Sequence, residues 1–502
     1  MVKFSLIKNK NKSRNKVPEL VQKSTKWYKN LFKRLIIFLC ILLILGVLVG
    51  FINYFFLEIR LDPKEQANLR DEVEWLKENT IPLASVKPVK GVKFNATDFA
   101  DLQPLKHILQ ETKIVGLGEA THGTKQFFTM KHRLFQFLVS ELGFRVFAIE
   151  YEFSDSIAIN MYVLNGEGKA EEVVKNIKFW TWRTQELLDL VKWMREWNIA
   201  NPSDPVRFYG FDIQTHESPI RELKKYSYKT NFISREKLEQ AQAKFQALID
   251  TFGSTNQTQT DKDFTRKLVK EILITLDGNK SQLIYKTSQR EWAEAKQHAR
   301  ILELIYSQFT SNYVTASDIR EKAMAENVQF IYELEKKTKM VLWAHNGHIG
   351  KLLLDEEIET LGKYLTDKYN KGYYPLGFEF YQGCFQARKV GITDMIPVLP
   401  LLFNTNQSTP LEEFCITDAP PKNTLSYKLG KIGEPYLFLD FSQKGFQSSR
   451  SSWLKEPQAY YDIGAAYPSH KLSEVISFSK GIIPYIYDGL IYIHNTTRAE
   501  PL

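Results

Sequence analysis

The chain has 502 residues, 43% hydrophobic and 25% charged, enough for one large core or two to three domains. Its formal charge of +9 invites nucleic acid as a partner, but residues 1–34 hold eleven Lys and Arg against one acid, and the remainder carries 56 basic and 57 acidic groups. A nearly neutral body with its basicity in a tail argues against a nucleic-acid-binding face.

Residues 35–57 follow the tail as 23 residues without a charge, with Asn53 the one strongly polar side chain. At about 1.5 Å per residue a helix of this length reaches roughly 34 Å, enough for a bilayer core. The run closes on Asn53-Tyr-Phe-Phe-Leu57, an aromatic belt with no small-residue cleavage site. It reads as an uncleaved signal anchor, a single transmembrane helix of the cell membrane. The positive-inside rule places residues 1–34 in the cytoplasm and 58–502 on the far side. A cleaved secretory signal is the alternative, and the flanks fit it poorly. Residues 58–98 are charged and partly helical, closed by Pro82 and Pro88, and read as a stalk.

From about residue 99 the pattern is α/β. Four apolar runs rich in β-branched and aromatic residues end on charged or imidazole side chains. Lys113-Ile-Val-Gly-Leu-Gly118 runs into Glu119 and His122, and Phe144-Arg-Val-Phe-Ala-Ile149 into Glu150. Val206-Arg-Phe-Tyr-Gly-Phe211 runs into Asp212, and Met340-Val-Leu-Trp-Ala344 into His345 and His348. Each is predicted as a buried strand. Helical stretches at 124–142 and 155–200 separate the first three, so the strands should be parallel. Trp180, Leu187, Leu188 and Trp193 fall near helical spacing and read as core. Residues 217–333 are charged and apolar at helical spacing, and are predicted as a helical insertion subdomain of about 100 residues. Further strand-like runs lie at 374–380, 436–441 and 490–494. The expected fold is α/β, a mainly parallel sheet flanked by helices.

Of three cysteines, Cys40 lies in the apolar run, while Cys384 and Cys415 lie in the outer part, where an oxidising compartment lets them pair. Their spacing does not decide whether they do, and oligomeric state is equally unread.

Sites form at the carboxyl ends of parallel strands, so Glu119, His122, Glu150, Asp212, His345 and His348 should gather on one sheet edge. Glu119 and His122 sit three apart in a strand-to-helix turn, where a carboxylate fixes the tautomer and raises the basicity of the imidazole. A capped turn held by Glu119 or Thr121 is the bland alternative. His345 and His348 flank Gly347, which permits a tight turn aiming both rings at one point. A helix cap by Asn346 with a buried, satisfied histidine competes with that reading. Glu150 ends an apolar strand, costly without a task or partner. Asp212 after Gly-Phe often only caps the next helix.

There is no Gly-x-Ser-x-Gly elbow, no phosphate-binding glycine loop and no His-Glu-x-x-His. A His and Glu cluster without a side-chain nucleophile points to an activated water.

Five motifs in order resemble the erythromycin esterase family. They are Gly118-Glu-Ala-Thr-His-Gly123, Gly143-Phe-Arg-Val-Phe-Ala-Ile-Glu150, Phe208-Tyr-Gly-Phe-Asp212, Arg320-Glu-Lys-Ala-Met-Ala-Glu-Asn327 and Trp343-Ala-His-Asn-Gly-His348. The closing stretch from Tyr487 resembles the family's end, so the likeness spans roughly 101–502. It implies a hydrolase that opens a lactone with water, needing no metal or only weakly linked to one. The general base falls on His122, supported by Glu119. The strand-end glutamate falls on Glu150, the helix arginine on Arg320 and the histidine pair on His345 and His348. The family's Arg-Asp pair is here Arg320-Glu321.

The expectation is a membrane-anchored hydrolase of a small ester or lactone, without cofactor. Arg320 with His345 or His348 would hold the oxyanion, and Glu150 would orient the water. One alternative is a metal-dependent hydrolase or peptidase, with a divalent ion on His122, Glu150, His345 and His348. Another is a non-catalytic protein that binds or remodels envelope polysaccharide, its tryptophans stacking on sugars.

Overall fold

A computed structural model of the protein describes residues 63–502 apart from 255, 353–358, 391–409, 443–448 and 469–476, with side chains from 69 onward. The expected tail at 1–34 and transmembrane helix at 35–57 lie outside the described residues. Among the described residues, no helix is long and apolar enough to cross a membrane.

The strands in chain order are β1 (Thr80–Pro82), β2 (Ile114–Leu117), β3 (Val146–Glu152), β4 (Arg207–Asp212), β5 (Met340–Trp343) and β6 (Tyr373–Val390). They continue with β7 (Leu411–Ile416), β8 (Tyr436–Asp440), β9 (Gln458–Tyr461), β10 (Ala466–Pro468), β11 (Phe478–Gly481) and β12 (Gly489–Thr496). One sheet runs β1-β8-β12-β6-β2-β5-β3-β4, and β9 pairs separately with β11. From β12 to β4 every neighbouring pair is parallel. The edge pairs β12–β8 and β8–β1 are antiparallel, and β7 lies antiparallel on the long β6. There Cys384 and Cys415 stand opposite one another and form a disulfide.

Burial alternates along the central strands, as a two-residue side-chain period requires. Ile114, Val146, Ala148, Met340 and Leu342 enter one apolar cluster. Val115, Leu117, Phe147, Ile149, Val341 and Trp343 enter the other. Both faces are covered, which is why these strands read as continuous apolar runs.

Six helices fill 217–334: Glu217–Thr230, Arg235–Asp250, Gln259–Gly278, Lys280–Lys286, Gln289–Phe309 and Tyr313–Leu334. Ser234, Thr258, Ser288 and Asn312 begin four of them by accepting a backbone N–H three residues on. Leu223, Phe245, Ile272, Ile305 and Val328 share one cluster with Tyr209 and Phe211 of β4. The inserted helices are therefore a layer on the sheet, not a separate lobe.

The stretch expected as a stalk also packs on the body where it is described. The helix Pro63–Asn79 buries Trp75 and Leu76, and Trp75 meets Trp453 edge-on at 6.2 Å. Lys428 bonds Glu72 at 2.8 Å, both buried, and β1 follows directly into the sheet. An apolar stripe on this charged helix needs a partner surface, and the sheet edge supplies it.

Candidate active site

The carboxyl ends of β2, β5, β3 and β4 lie side by side, with Glu119, His122, Glu150, Asp212, His345 and His348 at or near them, and Arg320 comes from the helix Tyr313–Leu334. Glu119 is fully buried, and its Oε1 lies 2.7 Å from His122 Nδ1. A carboxylate only accepts, so Nδ1 carries a proton, and in the neutral ring Nε2 then presents the lone pair. Glu119 Oε2 accepts from Lys131 Nζ and, at 2.6 Å, from Trp343 Nε1. Burial opposes ionisation of Glu119, but Lys131 and His122 outweigh it and hold the carboxyl below its usual range. Burial brings the Lys131 ammonium down to about 8 despite the pull of Glu119, so the pair is ionised at neutral pH.

A second network joins β3, β4 and the helix Tyr313–Leu334. The β3–β4 register shifts between Ile149 and Glu152, and Glu150 sits in that bulge. Gly210 makes room for it, since a Cβ there would lie 2.4 Å from the Tyr151 carbonyl. Arg320 grips Asp212 through Nε at 3.0 Å and Nη2 at 2.7 Å, and Nη2 also reaches Glu150 at 2.9 Å. Among the described residues, Nη1 meets no carboxylate.

His348 lies between Glu321, at 2.5 Å from Nδ1, and Glu150, at 3.2 Å from Nε2. Burial works against the charged ring, but Glu321 and Glu150 outweigh it and lift its pKa to about 10. Arg320 Nη1 lies 3.4 Å from Nε2, but two donors do not bond, so that proton goes to Glu150. Burial also opposes the Glu150 charge, yet His348, His122 and Arg320 hold its carboxyl well below the usual range.

His345 is held differently. Its Nε2 lies 3.2 Å from the Ile463 carbonyl and its Nδ1 accepts from Gly347 N at 3.3 Å, starting the short helix Asn346–Ile349. The cap is thus His345, not Asn346. Burial lowers its pKa, so the ring is neutral with the proton on Nε2. Its ring lies 4.9 Å from that of His122, and its backbone N–H donates to Glu150 at 3.0 Å.

Both ring nitrogens of His345 and of His348 have polar partners within the protein. Among the described residues, the one group of His, Cys, Asp and Glu whose ligand atoms converge is Cys384, Glu413 and Cys415, where both sulfurs are in the disulfide. Trp75, Trp180, Trp182, Trp193, Trp197, Trp292 and Trp343 are buried, which leaves them no open face for stacking sugars.

The erythromycin esterase family profile matches residues 139–496. The chain belongs to the erythromycin esterase family. It is 24% identical over 436 residues to the putative hydrolase YbfO of Bacillus subtilis strain 168, covering 79% of this chain and 86% of that protein. It is 27% identical over 337 residues to erythromycin esterase type II of Escherichia coli, covering 62% of this chain and 77% of the relative. A crystal structure of a Bacillus cereus protein matches with a TM-score of 0.70 and 26% identity over 86% of this chain and 99% of that one. The erythromycin esterase EreC, a mutant in its open conformation, shares the fold at a TM-score of 0.58 and 12% identity, over 81% of this chain and 96% of that one.

Within this erythromycin esterase fold, several residues joined the site without being singled out for it. Lys131 has a sequence signal: it occupies the same helical stripe as Phe127, Phe128, Leu134 and Phe135, where a lysine is out of place without a partner. Trp343 carried only a core signal. Asp462, 3.4 Å from His345 Nδ1, and Ile463 come from a distant loop with no local signature.

The His348 clamp gives a pH prediction. A folded pKa raised from 6.5 to about 10 means the charged ring stabilises the fold fully below about 6.5, and that stability is lost as pH rises through 10. His348→Gln should therefore flatten the fall in Tm between pH 7 and 10. An identical alkaline fall in wild type and variant would contradict the clamp.

Proposed function

We propose that the protein hydrolyses a small ester or lactone with water activated by His122, outside the cytoplasm. The observation that supports this is the 2.7 Å contact between His122 Nδ1 and the buried Glu119, which puts the lone pair of the neutral ring on Nε2. Nε2 takes a proton from water as the oxygen attacks the acyl carbon. The new oxyanion is met by Arg320 Nη1, held in place by Asp212 and Glu150. Collapse breaks the acyl C–O bond, and the imidazolium returns its proton to the leaving alkoxide. Glu119 orients the imidazole and stabilises its cation, while Lys131 and Trp343 fix Glu119. Glu150, in reach of this chemistry through His345 N–H and His348, orients the water. No cofactor enters the reaction.

The test is a panel of esters, lactones and acylated sugars offered to the purified full chain. Hydrolysis of any one, absent from His122→Ala, supports the reading, and hydrolysis of none across the panel overturns it.

In the same proposal residues 35–57 anchor the chain by one span. The charge asymmetry around that run supports this, as does the Cys384–Cys415 disulfide, which suits an oxidising compartment. A periplasm- or surface-active reporter fused after Leu502 should be active, and a reporter that works only in the cytoplasm should be silent. The reverse pattern would overturn the topology.

A further inference from the structure

Residues 497–502 cross the two loops that bring the site together. The segment first pairs with the turn after His122. Lys125 N donates to the Thr497 carbonyl at 2.9 Å, Ala499 N donates to the Gly123 carbonyl at 2.9 Å, and Thr124 bridges Arg498 in antiparallel fashion. It then pairs with the start of the helix Gln185–Ala200. Gln185 N donates to the Glu500 carbonyl at 2.8 Å, Leu502 N donates to the Arg183 carbonyl at 3.0 Å, and Thr184 bridges Pro501.

Side chains repeat the two attachments. Thr497 N donates to Gln126 Oε1 at 2.7 Å, Lys125 pairs with Glu500, and Glu500 N donates to the buried Glu186 carboxylate at 3.2 Å. Ala499 is completely buried although its neighbours Arg498 and Glu500 are not.

Each anchored loop leads to one half of the site. The first carries Glu119 and His122, and its helix carries Lys131. The second begins just after Trp182, whose Nε1 donates to the Glu150 carbonyl at 3.0 Å and whose ring meets Trp343 edge-on at 5.2 Å. Gly123 has a second support, since Gln386 N of β6 donates to the same carbonyl at 3.1 Å. The contact is close, with a Cβ at Gly123 lying 2.0 Å from the Gln386 carbonyl. A turn with no regular structure of its own is therefore held by backbone bonds from two directions, one of them this segment.

We infer that residues 497–502 form a positioning strap that sets His122 against the Glu150 half of the site; in its catalytic consequence this rests on the hydrolase reading above. The strap touches no reacting atom. It fixes where Nε2 of His122 stands relative to Arg320, and misplacement of about 1 Å costs catalysis on the order of 100-fold.

The experiment compares full chains carrying Ala499→Pro, which removes the N–H that bonds Gly123, with a chain lacking residues 497–502. Asn495→Ala, exposed and ahead of the strap, is the unchanged control. Two readouts are taken: hydrogen exchange of peptides covering residues 118–126 without substrate, and kcat and KM for 4-nitrophenyl acetate. The strap predicts faster exchange confined to 118–126 and to 183–187, a fall in kcat of about 10- to 100-fold with KM within about twofold, and Tm nearly unchanged.

Unchanged exchange at 118–126 in the folded Ala499→Pro chain overturns the strap. So does faster exchange throughout the body with a matching drop in Tm, which marks a general structural role. If the wild type cleaves no ester while the local exchange change still appears, the hydrolase reading fails and the strap stands as a clamp on this turn.

Discussion

His122→Ala should lower kcat for any ester the protein turns over by about 10²–10⁴-fold, the span that one general base contributes. KM should change little, because the imidazole acts on water and not on the bound substrate. The fold should survive. Glu119 keeps its bonds to Lys131 and Trp343, so the buried carboxylate is not left alone. Glu119→Gln is the companion variant. It preserves the volume but accepts weakly, so the tautomer with the Nε2 lone pair loses its support, and activity should fall by at least about 100-fold. Lys131 is then left as a buried, unpaired ammonium and should release its proton. Circular dichroism and Tm establish folding in both cases. A folded His122→Ala chain with wild-type kcat would remove His122 from the reaction altogether.

The strand ends could be read early for a physical reason. A buried parallel strand must be apolar along its whole length, so the first charged residue marks where the sheet stops and the site begins. Glu119, Asp212 and His345 lie at or just beyond such ends, and Glu150 stands two residues before the end of β3, where its pairing with β4 slips. What joins them could not be read the same way. Glu321 and Asp212 hold His348 and Arg320 from a helix and a strand more than a hundred residues apart, and only the packed helix Tyr313–Leu334 brings them together. Residues 58–98 read as a charged, partly helical stalk, and where they are described Trp75 and Leu76 sit on the face that docks. A few buried apolar side chains there outweigh many exposed charges. The partners of His345 could not be read from its spacing either. Three residues from His348 it looked like half of a pair, but its nitrogens serve a helix start and the Ile463 carbonyl.

Arg320→Met should be the most destabilising single change at the site. Asp212 is completely buried, and Arg320 gives it two of its charged hydrogen bonds while giving Glu150 one more. Without the guanidinium, Asp212 retains only the Ile213 N–H and the Gln214 amide. Removing one partner of a buried ion pair typically costs about 3–5 kcal/mol, because the other charge stays behind in a poor solvent. Arg320→Lys should recover little, since an ammonium cannot span both Asp212 oxygens and Glu150 as the planar fork does. Adding Asp212→Asn to Arg320→Met removes the stranded charge and should restore at least half of the lost stability in urea. Activity should not return with it, because the nitrogen proposed to meet the oxyanion is still missing. The double variant thus separates the two tasks of one side chain: holding acids together, and facing the substrate. A loss below about 1 kcal/mol in Arg320→Met would mean the network is solvated like a surface pair. Recovery of kcat along with stability in the double variant would assign Arg320 to the fold alone.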